Sequence, residues 1–398
     1  MFFTKEGDIM KNSIYFMALG GGQRVGASCY FLKLGNDANI LLDCGIGYEK
    51  GIRFEPKLRA LESSPFVESM NEINEVFISH AHIDHIGYLP KLMCICKRSS
   101  FYMTKITGLL TEYQLYEKTY LNNLYDNKNI ENQRLNLKFN FRRIVELTYS
   151  KKVSFNNYTV TYYQAGHIPG AAMMYFEYKN KKILYTGDFS LDDTILTSKC
   201  LLPEIVKPDI LIMCGLHAKH KGYVKNNNQI LKIIEEILSH VKMGKTVYCK
   251  VKQLSKGVEF LKYLNMFFNE RKLKYKIYLD DNLMRTINKL EEGSIPILSE
   301  NNYIYEDLCN INKSSIIIGN INIFNKEYKQ IDVDFSLHVD FDDIVKFIKK
   351  LNPKLAVMVH CGEEKKDNLC TVEQELMRDG DSITQFIFPN EEEIYKLL

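Results

Sequence analysis

The chain has 398 residues, of which 45% are hydrophobic and 25% charged, as in an ordinary globular protein with a large core. Its net charge of +3 argues against a molecule that binds polyanions over its whole surface. No apolar run approaches the ~20 residues of a membrane span, and the first residues show no secretory signal pattern. With ten dispersed cysteines, we expect a cytoplasmic protein with reduced thiols and no membrane partner.

The first half of the chain alternates short apolar runs with turns, which predicts β-strands. Each run ends at a polar residue or a glycine. The predicted strands are NILLDCG (39–45), EVFISH (75–80), KKILYTGDF (181–189) and DILIMCG (209–215). Residues 101–135 instead have a longer, aromatic-rich spacing that predicts helix.

From about residue 226 the predicted elements alternate between helix and strand. In QILKIIEEILSHV (229–241) the apolar residues share one helical face: Ile230, Ile233, Ile234, Ile237 and Val241. The strand TVYCKV (246–251), the helix GVEFLKYLNMFF (257–268) and the strand YKIYLD (275–280) follow. This alternation predicts a parallel α/β unit. Further along come the predicted strand VDFSLH (333–338), helix FDDIVKFIKKLN (341–352) and strand LAVMVH (355–360).

The stretch ISHAHIDHIG (78–87) places three of the nine histidines and one aspartate within six positions. A tight turn after the predicted strand would bring together His80, His82, Asp84 and His85. Imidazole and carboxylate ligands suit zinc or a related cation. Four ligands would fill one tetrahedral site and leave no position for water, so the crowding predicts two metal ions. The alternative is that these histidines only lie on the surface or cap a helix. That explanation suits a single histidine better than three histidines and an aspartate at this spacing.

Three further candidate ligands stand at the ends of apolar runs. His167 lies in YQAGHIPGAAM, Asp188 ends ILYTGDFS, and His360 ends LAVMVH. Each alone would more often be a cap or a hydrogen-bonded core group. Together they complete two metal sites, with Asp188 in a position to bridge them.

These blocks, in this order, resemble the metallo-β-lactamase fold and specifically its β-CASP nucleic-acid-processing branch. The matching stretches are LGGGQRVGASCYFLKLGNDANILLDCGI (19–46), HAHIDHIG, AGHIPGAAM, YTGDFS and FSLHVDFDDIVKFIKKLNPKLAVMVHCGEE (335–364). The resemblance implies the α/β class, a metallo-β-lactamase αββα sandwich with an inserted smaller α/β domain. The implied domains are 1–214 and 331–398, which together form the lactamase fold, and 215–330, a reduced β-CASP-like insertion.

The resemblance also implies the roles of individual residues. The first metal ion would bind His80, His82 and His167, the second Asp84, His85 and His360, and Asp188 would bridge two zinc ions. Asp84, His338 and Asp43 are the implied catalytic residues, with Asp43 behind the ligands and His338 as the general acid or a phosphate contact. A buried core histidine is the alternative for His338. His360 resembles the RNA-processing members, since the DNA-repair members carry an apolar residue there.

The chain departs from the family pattern at Cys214, where an acidic residue normally holds the general-acid histidine. The insertion is short, and its phosphate-gripping turn is represented only by IIIGNINIF (316–324). Residues 215–330 nevertheless carry an excess of seven basic over acidic residues. We expect Lys250, Lys252 and Lys256 to contact a phosphate backbone, with a solvated lysine surface as the alternative.

The sequence therefore predicts a two-zinc hydrolase of phosphodiester bonds, a ribonuclease that acts on single-stranded RNA. Endonucleolytic cleavage is favoured because the region of the 5′-phosphate pocket of exonucleolytic relatives is degenerate here. Two alternatives stay open: a hydrolase of a small phosphodiester or ester, and a catalytically weak scaffold subunit of RNA processing. RNA is the expected partner, and a homodimer is left open.

Overall fold

The computed structural model describes most of the chain, in two compact units. The described residues are 13–116, 142–219, 221, 229–251, 254–298, 304–305, 311, 313–320, 327–362, 371–378 and 384–397. The first unit comprises Met1–Asp192, Lys199–Val224 and His338–Leu398, and the second comprises Asp193–Ser198 and Lys225–Leu337. The predicted domain boundaries at 214/215 and 330/331 stay a prediction.

The elements of the first part of the chain are short strands joined by turns and small helices. In chain order they are β1 (Ile14–Gly20), β2 (Cys29–Leu34), β3 (Ala38–Leu42), β4 (Gly47–Glu49), β5 (Ile52–Phe54), α1 (Leu58–Glu62), a 3₁₀ turn (Met70–Glu72), β6 (Glu75–Phe77), α2 (Ile83–Ile86), α3 (Leu89–Ile95), β7 (Ser100–Met103), α4 (Lys105–Tyr116), β8 (Ile144–Glu146), β9 (Lys152–Ser154), β10 (Tyr158–Gln164), β11 (Ala172–Tyr178), β12 (Lys181–Tyr185) and β13 (Ile210–Cys214).

The remaining elements alternate between helix and strand. They are α5 (Gln229–Lys242), β14 (Val247–Val251), α6 (Leu254–Glu270), β15 (Ile277–Leu279), α7 (Asp281–Glu292), β16 (Ile304–Tyr305), β17 (Ile316–Gly319), β18 (Lys329–Val333), α8 (Phe341–Leu351), β19 (Leu355–Val359), α9 (Val372–Arg378), β20 (Gln385–Ile387) and β21 (Ile394–Lys396). Helix α8 begins with a capping box between Asp340 and Asp343 and ends at Asn352 in the left-handed conformation.

Two seven-stranded sheets form the body of the first unit. Their strand orders are β21-β1-β2-β3-β6-β7-β8 and β20-β19-β13-β12-β11-β10-β9. Strands β12, β13 and β19 pair in parallel, and β13 and β19 are buried along their whole length, which explains their continuous apolar sequences. The sheets pack face to face through one apolar core, where Phe77 of one meets Phe176 of the other edge to face at 5.3 Å. The predicted mixed α/β class is confirmed.

The second unit is built on a parallel five-stranded sheet of order β16-β15-β17-β14-β18. Helices α5, α6 and α7 alternate with its strands along the chain. Helix α5 buries one face, formed by Ile233, Ile234, Ile237, Leu238 and Val241. The predicted parallel α/β alternation is therefore confirmed.

Two predicted elements were wrong in part. Residues 101–103 belong to strand β7, and helix α4 begins only at Lys105, because a short apolar run does not by itself distinguish strand from helix. The rest of that predicted helix, from 117 to 135, lies outside the described residues. Residues 334–338 form no strand, although burial alternates along them. The period of two there reflects alternate burial, and no strand of the described part of the chain pairs with these residues.

None of the described helices is long and apolar enough to cross a membrane.

Candidate metal centre

The predicted ligands lie in loops that follow strands of the first unit, except that Asp84 and His85 lie in the short helix α2. His80 comes shortly after β6, Asp188 after β12, and His360 directly after β19. The chain reaches Asp188 through Gly187, whose φ is +53°. A Cβ at Gly187 would lie 2.5 Å from Cβ of Ser79, so only glycine lets this loop close on the loop of His80.

Three imidazoles converge at one end of the cluster. Nε2 of His80 lies 3.1 Å from Nδ1 of His82, which lies 3.2 Å from Nε2 of His167. All three residues are buried. Nδ1 of His82 carries either one proton or one lone pair, so it cannot form a well-directed hydrogen bond with both neighbours at once. Nitrogen ligands of one tetrahedral zinc ion lie about 3.3 Å apart, and a shared cation therefore suits this spacing.

A second group of ligands lies beside the first. Oδ2 of Asp84 is 3.7 Å from Nε2 of His360 and 3.9 Å from Nε2 of His85. The carboxylate of Asp188 also approaches this group, with Oδ2 3.5 Å from Nε2 of His85 and 4.0 Å from that of His360. Asp84 is the partly exposed member, with 27% of its side chain accessible, so the group opens to solvent on that side.

Asp188 is common to both groups. Its Oδ2 lies 3.7 Å from Nε2 of His80 and 3.9 Å from Nε2 of His167. Within the described residues neither oxygen of this buried carboxylate accepts a hydrogen bond. Burial opposes ionisation, but the surrounding imidazoles, His360 foremost, outweigh it and hold the pKa of Asp188 well below its usual range. A buried carboxylate without hydrogen bonds is costly unless a cation binds it. The cluster therefore has the ligands and the spacing to hold a metal ion.

Asp43 fixes two of the imidazoles from behind. Its carboxylate accepts hydrogen bonds from the Ser79 amide at 2.7 Å, the Ser79 hydroxyl at 2.7 Å and the Tyr185 hydroxyl at 2.6 Å. Nδ1 of His85 lies 2.8 Å from the same carboxylate, and Nδ1 of His80 lies 2.9 Å from the Ser79 oxygen. This network assigns the protons to Nδ1 and leaves both Nε2 lone pairs facing the cluster. The adjacent charges of Asp188, Asp43 and Asp84 outweigh burial and raise the pKa of His85.

His360 is held in an unusual backbone conformation. Its φ is +53°, in the left-handed region that few residues other than glycine adopt. The His360 amide donates to the Gly21 carbonyl at 2.6 Å, and its Nδ1 lies 3.0 Å from the Ser28 hydroxyl. These contacts direct Nε2 toward Asp84. Asp43 shares the positive φ, at +59°, so two residues of this site have a strained backbone.

His338 and Cys214 lie on another side of Asp188. Nδ1 of His338 is 3.8 Å from Oδ2 of Asp188, and its ring lies 4.5 Å from that of His167. The ligand atoms of Cys214, His338 and Asp188 all lie within 4.8 Å of one another. Burial and then the charge of Asp188 raise the pKa of the Cys214 thiol. The thiol is therefore neutral, and Asp188 is the carboxylate that faces His338.

The predicted phosphate-contacting lysines belong to the second unit. Lys250 is half-buried in β14, and Lys252 lies outside the described residues. Lys256 forms an ion pair with Asp334, with Nζ 3.0 Å from Oδ1, and lies over the Phe335 ring at 5.9 Å. The Lys256 ammonium is thus already paired, and the phosphate contacts of these lysines stay a prediction.

The sequence interpretation missed the supporting residues Ser28, Ser79 and Tyr185. Ser79 precedes His80, and Tyr185 stands three positions before Asp188. Their proximity to the ligand motifs is the signal that could have identified them. Nothing in the sequence pairs Ser28 with His360, because that contact joins residues far apart in the chain.

Comparisons with known proteins agree with this geometry. Residues 18–244, more than half of the chain, match the model of a family described as anti-Pycsar protein Apyc1. The chain is 30% identical over 258 residues to cleavage and polyadenylation specificity factor 73 of Drosophila melanogaster, covering 63% of this chain and 36% of that protein. It is 28% identical over 296 residues to the probable RNase MJ4 of Methanocaldococcus jannaschii, covering 73% of this chain and 65% of the relative. The chain thus spans less than two thirds of either protein.

A solved structure shares the fold. It is a protein of unknown function from Enterococcus faecalis V583, with a TM-score of 0.62 and 14% identity over 97% of this chain and 100% of that one. The predicted resemblance to β-CASP RNA-processing nucleases is confirmed by the sequence relatives.

Proposed function

Because this chain belongs to the family described as anti-Pycsar protein Apyc1 and has RNA-processing nucleases among its relatives, we propose that it is a metal-dependent phosphodiester hydrolase that cleaves single-stranded RNA. The buried cluster of five imidazoles and two carboxylates carries this proposal, with Asp188 shared by its two halves. Such a cluster suits two cations better than one.

The ligand assignment follows the two groups of side chains. His80, His82 and His167 would hold one zinc ion, Asp84, His85 and His360 would hold the other, and Asp188 lies close enough to both groups to serve as a shared ligand. When bound, two such cations supply a strong oxygen nucleophile at neutral pH and the positive charge that grips a phosphodiester. The chain's own contribution is orientation, because Asp43, Ser79 and Ser28 lie behind three of the histidines and fix the ring directions of His85, His80 and His360.

His338 is assigned to proton delivery to the leaving oxygen. Burial and then the nearby His167 keep the pKa of His338 well below its usual range, so the ring is neutral before substrate binds. A phosphodiester brings negative charge beside the ring and raises that pKa. Protonation of His338 is thereby coupled to substrate binding, which suits a general acid.

RNA is the favoured substrate class because the names of the relatives point to it. Cleavage and polyadenylation specificity factor 73 is an RNA-processing protein by name, and the archaeal relative is named a probable RNase. The basic excess of residues 215–330 agrees with a polyanionic substrate. Endonucleolytic cleavage, cytoplasmic location and a homodimer stay predictions.

A small phosphodiester is the second candidate substrate. The description of the matched family names no ribonuclease, and the predicted lysine contacts have no structural support beyond their charge. A catalytically inert scaffold is disfavoured, since loss of catalysis would remove the reason to hold seven ligands in one cluster.

The test offers both substrate classes to one preparation. Purified protein is incubated with internally labelled single-stranded RNA and, separately, with a chromogenic phosphodiester, each with chelator, without it, and after zinc is restored. We expect internal RNA fragments that chelator abolishes and zinc restores. Turnover of the small substrate alone would favour the second candidate, and no turnover of either would favour the scaffold. Asp188→Asn is the matched inactive control.

A further inference from the structure

Cys214 gives the metal centre a donor of a different chemical kind. Its Sγ, a ring nitrogen of His338 and a carboxylate oxygen of Asp188 lie within 4.8 Å of one another, and Nδ1 of His338 lies 3.8 Å from Oδ2 of Asp188. Cys214 ends strand β13 with only 1% of its surface exposed. Neither His338 nor Cys214 belongs to the groups that contain the other histidines. The shared Asp188 is 1% exposed, and its oxygens accept no hydrogen bond among the described residues.

We propose that Cys214, His338 and Asp188 form a third cation site, selective for soft divalent cations such as cadmium or surplus zinc. Thiolate and imidazole are the ligands that such cations prefer. Three ligands at this spacing fit a tetrahedral ion and leave one position open. An acidic residue at position 214 would instead offer a hard oxygen donor, so the cysteine changes which cations this side of Asp188 accepts.

Binding at this site exchanges a proton for a metal ion. The S–H bond of Cys214 breaks, its proton passes to the buffer, and the sulfur lone pair forms the bond to the cation. Hard cations such as magnesium prefer oxygen ligands and form only weak bonds to sulfur, so they do not displace the thiol proton, whereas a strong metal–sulfur bond offsets the cost of losing it. Repulsion from ions in the neighbouring groups makes this the weakest of the three positions.

Occupancy of the third site blocks the histidine that the proposed function uses. A cation on Nδ1 of His338 fixes the ring and removes its ability to take up and deliver a proton. Soft cations in excess of the two catalytic equivalents therefore inhibit cleavage. This consequence rests on the proposed function, while the site itself does not.

The test uses zinc-loaded protein and cadmium ions. Thiolate-to-cadmium charge transfer absorbs in the ultraviolet and reports only sulfur ligation, and the ligands of the other two groups contain no sulfur. Cys94, an exposed thiol, is replaced by serine in every protein to remove background. We expect one equivalent of cadmium to produce the charge-transfer band in this parent. The control Cys361→Ser removes a different buried thiol and keeps Cys214, so it should show the same band. Cys214→Ser should lack the band.

A second variant keeps the test independent of how well Cys214→Ser folds. His338→Ala should retain the thiol but bind cadmium at least 10-fold more weakly in a titration followed by the band. Absence of the band in the parent, or a full band in Cys214→Ser, would overturn the proposal. A band without RNA cleavage in any preparation would refute the proposed function and leave the site intact. Where cleavage occurs, cadmium should inhibit the parent and spare Cys214→Ser.

Discussion

At the scale of single residues, Asp43 shows how one buried carboxylate orients a metal centre that it does not itself face. It lies behind the ligands and receives hydrogen bonds from Ser79 and Tyr185 while it holds Nδ1 of His85. The Tyr185 hydroxyl therefore acts on the metal through two intervening side chains. Removing such a supporting bond typically weakens metal binding without unfolding the protein.

We predict that Tyr185→Phe lowers affinity for the metal held by His85 by about 10–100-fold. The lost hydroxyl leaves Asp43 with one donor fewer, so the direction of the imidazole is less well fixed. Competition with a chromophoric chelator measures the change. Tyr178→Phe is the matched control, because its hydroxyl donates an equally short 2.6 Å bond to Asp37, which lies outside the metal centre. Equal affinities in the two variants would contradict the orienting role of Tyr185.

His338 can be separated from the ligands by a single substitution. We predict that His338→Ala reduces turnover of RNA by about 10²–10⁴-fold, the range of a general acid, while both metal ions stay bound. Single-turnover kinetics and elemental analysis of the same preparation measure the two effects. His240→Ala, in the second unit, is the control. If chemistry limits the rate and turnover is unchanged, His338 is a core histidine only.

The ligand motifs could be read from the sequence because their donor atoms are chemically rare and closely spaced. HAHIDH and the strand-terminal Asp188 and His360 carry that signal in their residue types. The orienting contacts of Ser28 and Tyr185 could not be read in this way, since serine and tyrosine hydroxyls bind many partners. Only the folded chain, with a positive φ at His360, determines which partner each one meets.

At the scale of secondary-structure elements, Glu259 ties helix α6 to the short segment Asp193–Ser198. Its carboxylate accepts hydrogen bonds from the Ile195 amide at 2.7 Å and the Thr194 hydroxyl at 3.2 Å. Both partners belong to the second unit. Burial is the main cause that raises the pKa of Glu259 to about 7.

This raised pKa predicts a pH-dependent stability. Below about pH 4.5 the carboxyl group is protonated in both folded and unfolded chains, and its contribution is complete. As pH rises toward 7 the unfolded chain ionises first, so the folded state loses up to about 3 kcal/mol of relative stability.

Glu259→Gln should therefore flatten the fall in unfolding free energy between pH 5 and pH 8. Glutamine cannot ionise, although it loses one acceptor for the segment Asp193–Ser198. Urea unfolding at several pH values measures the slope. Glu270→Gln, exposed on the same helix, should leave the slope unchanged. A Glu259→Gln protein with the parental slope would show that another group causes the pH dependence.

Element prediction succeeded where apolar spacing and pairing agree. The apolar runs near β3, β12, β13 and β19 form strands because neighbouring strands of the same sheet pair with them. Residues 334–338 show the limit, because their alternate burial arises just after the chain leaves β18, where they pair with no strand among the described residues. An alternation of apolar and polar residues thus predicts alternate burial more securely than it predicts hydrogen-bonded pairing with another strand.

At the scale of the whole molecule, charge distinguishes an RNA-cleaving protein from a small-molecule hydrolase. Each phosphate contact to single-stranded RNA contributes about 0.7 to the slope of log affinity against log salt. We predict that replacing Lys250, Lys252 and Lys256 by glutamine weakens RNA binding and flattens this slope by up to about 2. Hydrolysis of a small phosphodiester should stay unchanged. Binding isotherms at several salt concentrations measure the slope.

The matched control removes the same charge elsewhere. Lys152, Lys179 and Lys354 of the first unit are ion-paired surface lysines, and their replacement by glutamine should leave the slope as in the parent. If both triple variants bind RNA alike, the lysines of the second unit are a solvated surface. The small-phosphodiester candidate would then be favoured.

We propose that two metal ions that share Asp188 as a ligand enable this chain to cleave RNA. A zinc titration of the metal-free protein tests this proposal. RNA cleavage is measured as zinc is added in known equivalents to the parent and to Asp188→Asn. We expect two bound equivalents in the parent, with cleavage completed by the second, and neither tight binding nor cleavage in Asp188→Asn. Full cleavage by the metal-free protein, full cleavage with a single equivalent, or unchanged cleavage in Asp188→Asn would contradict it.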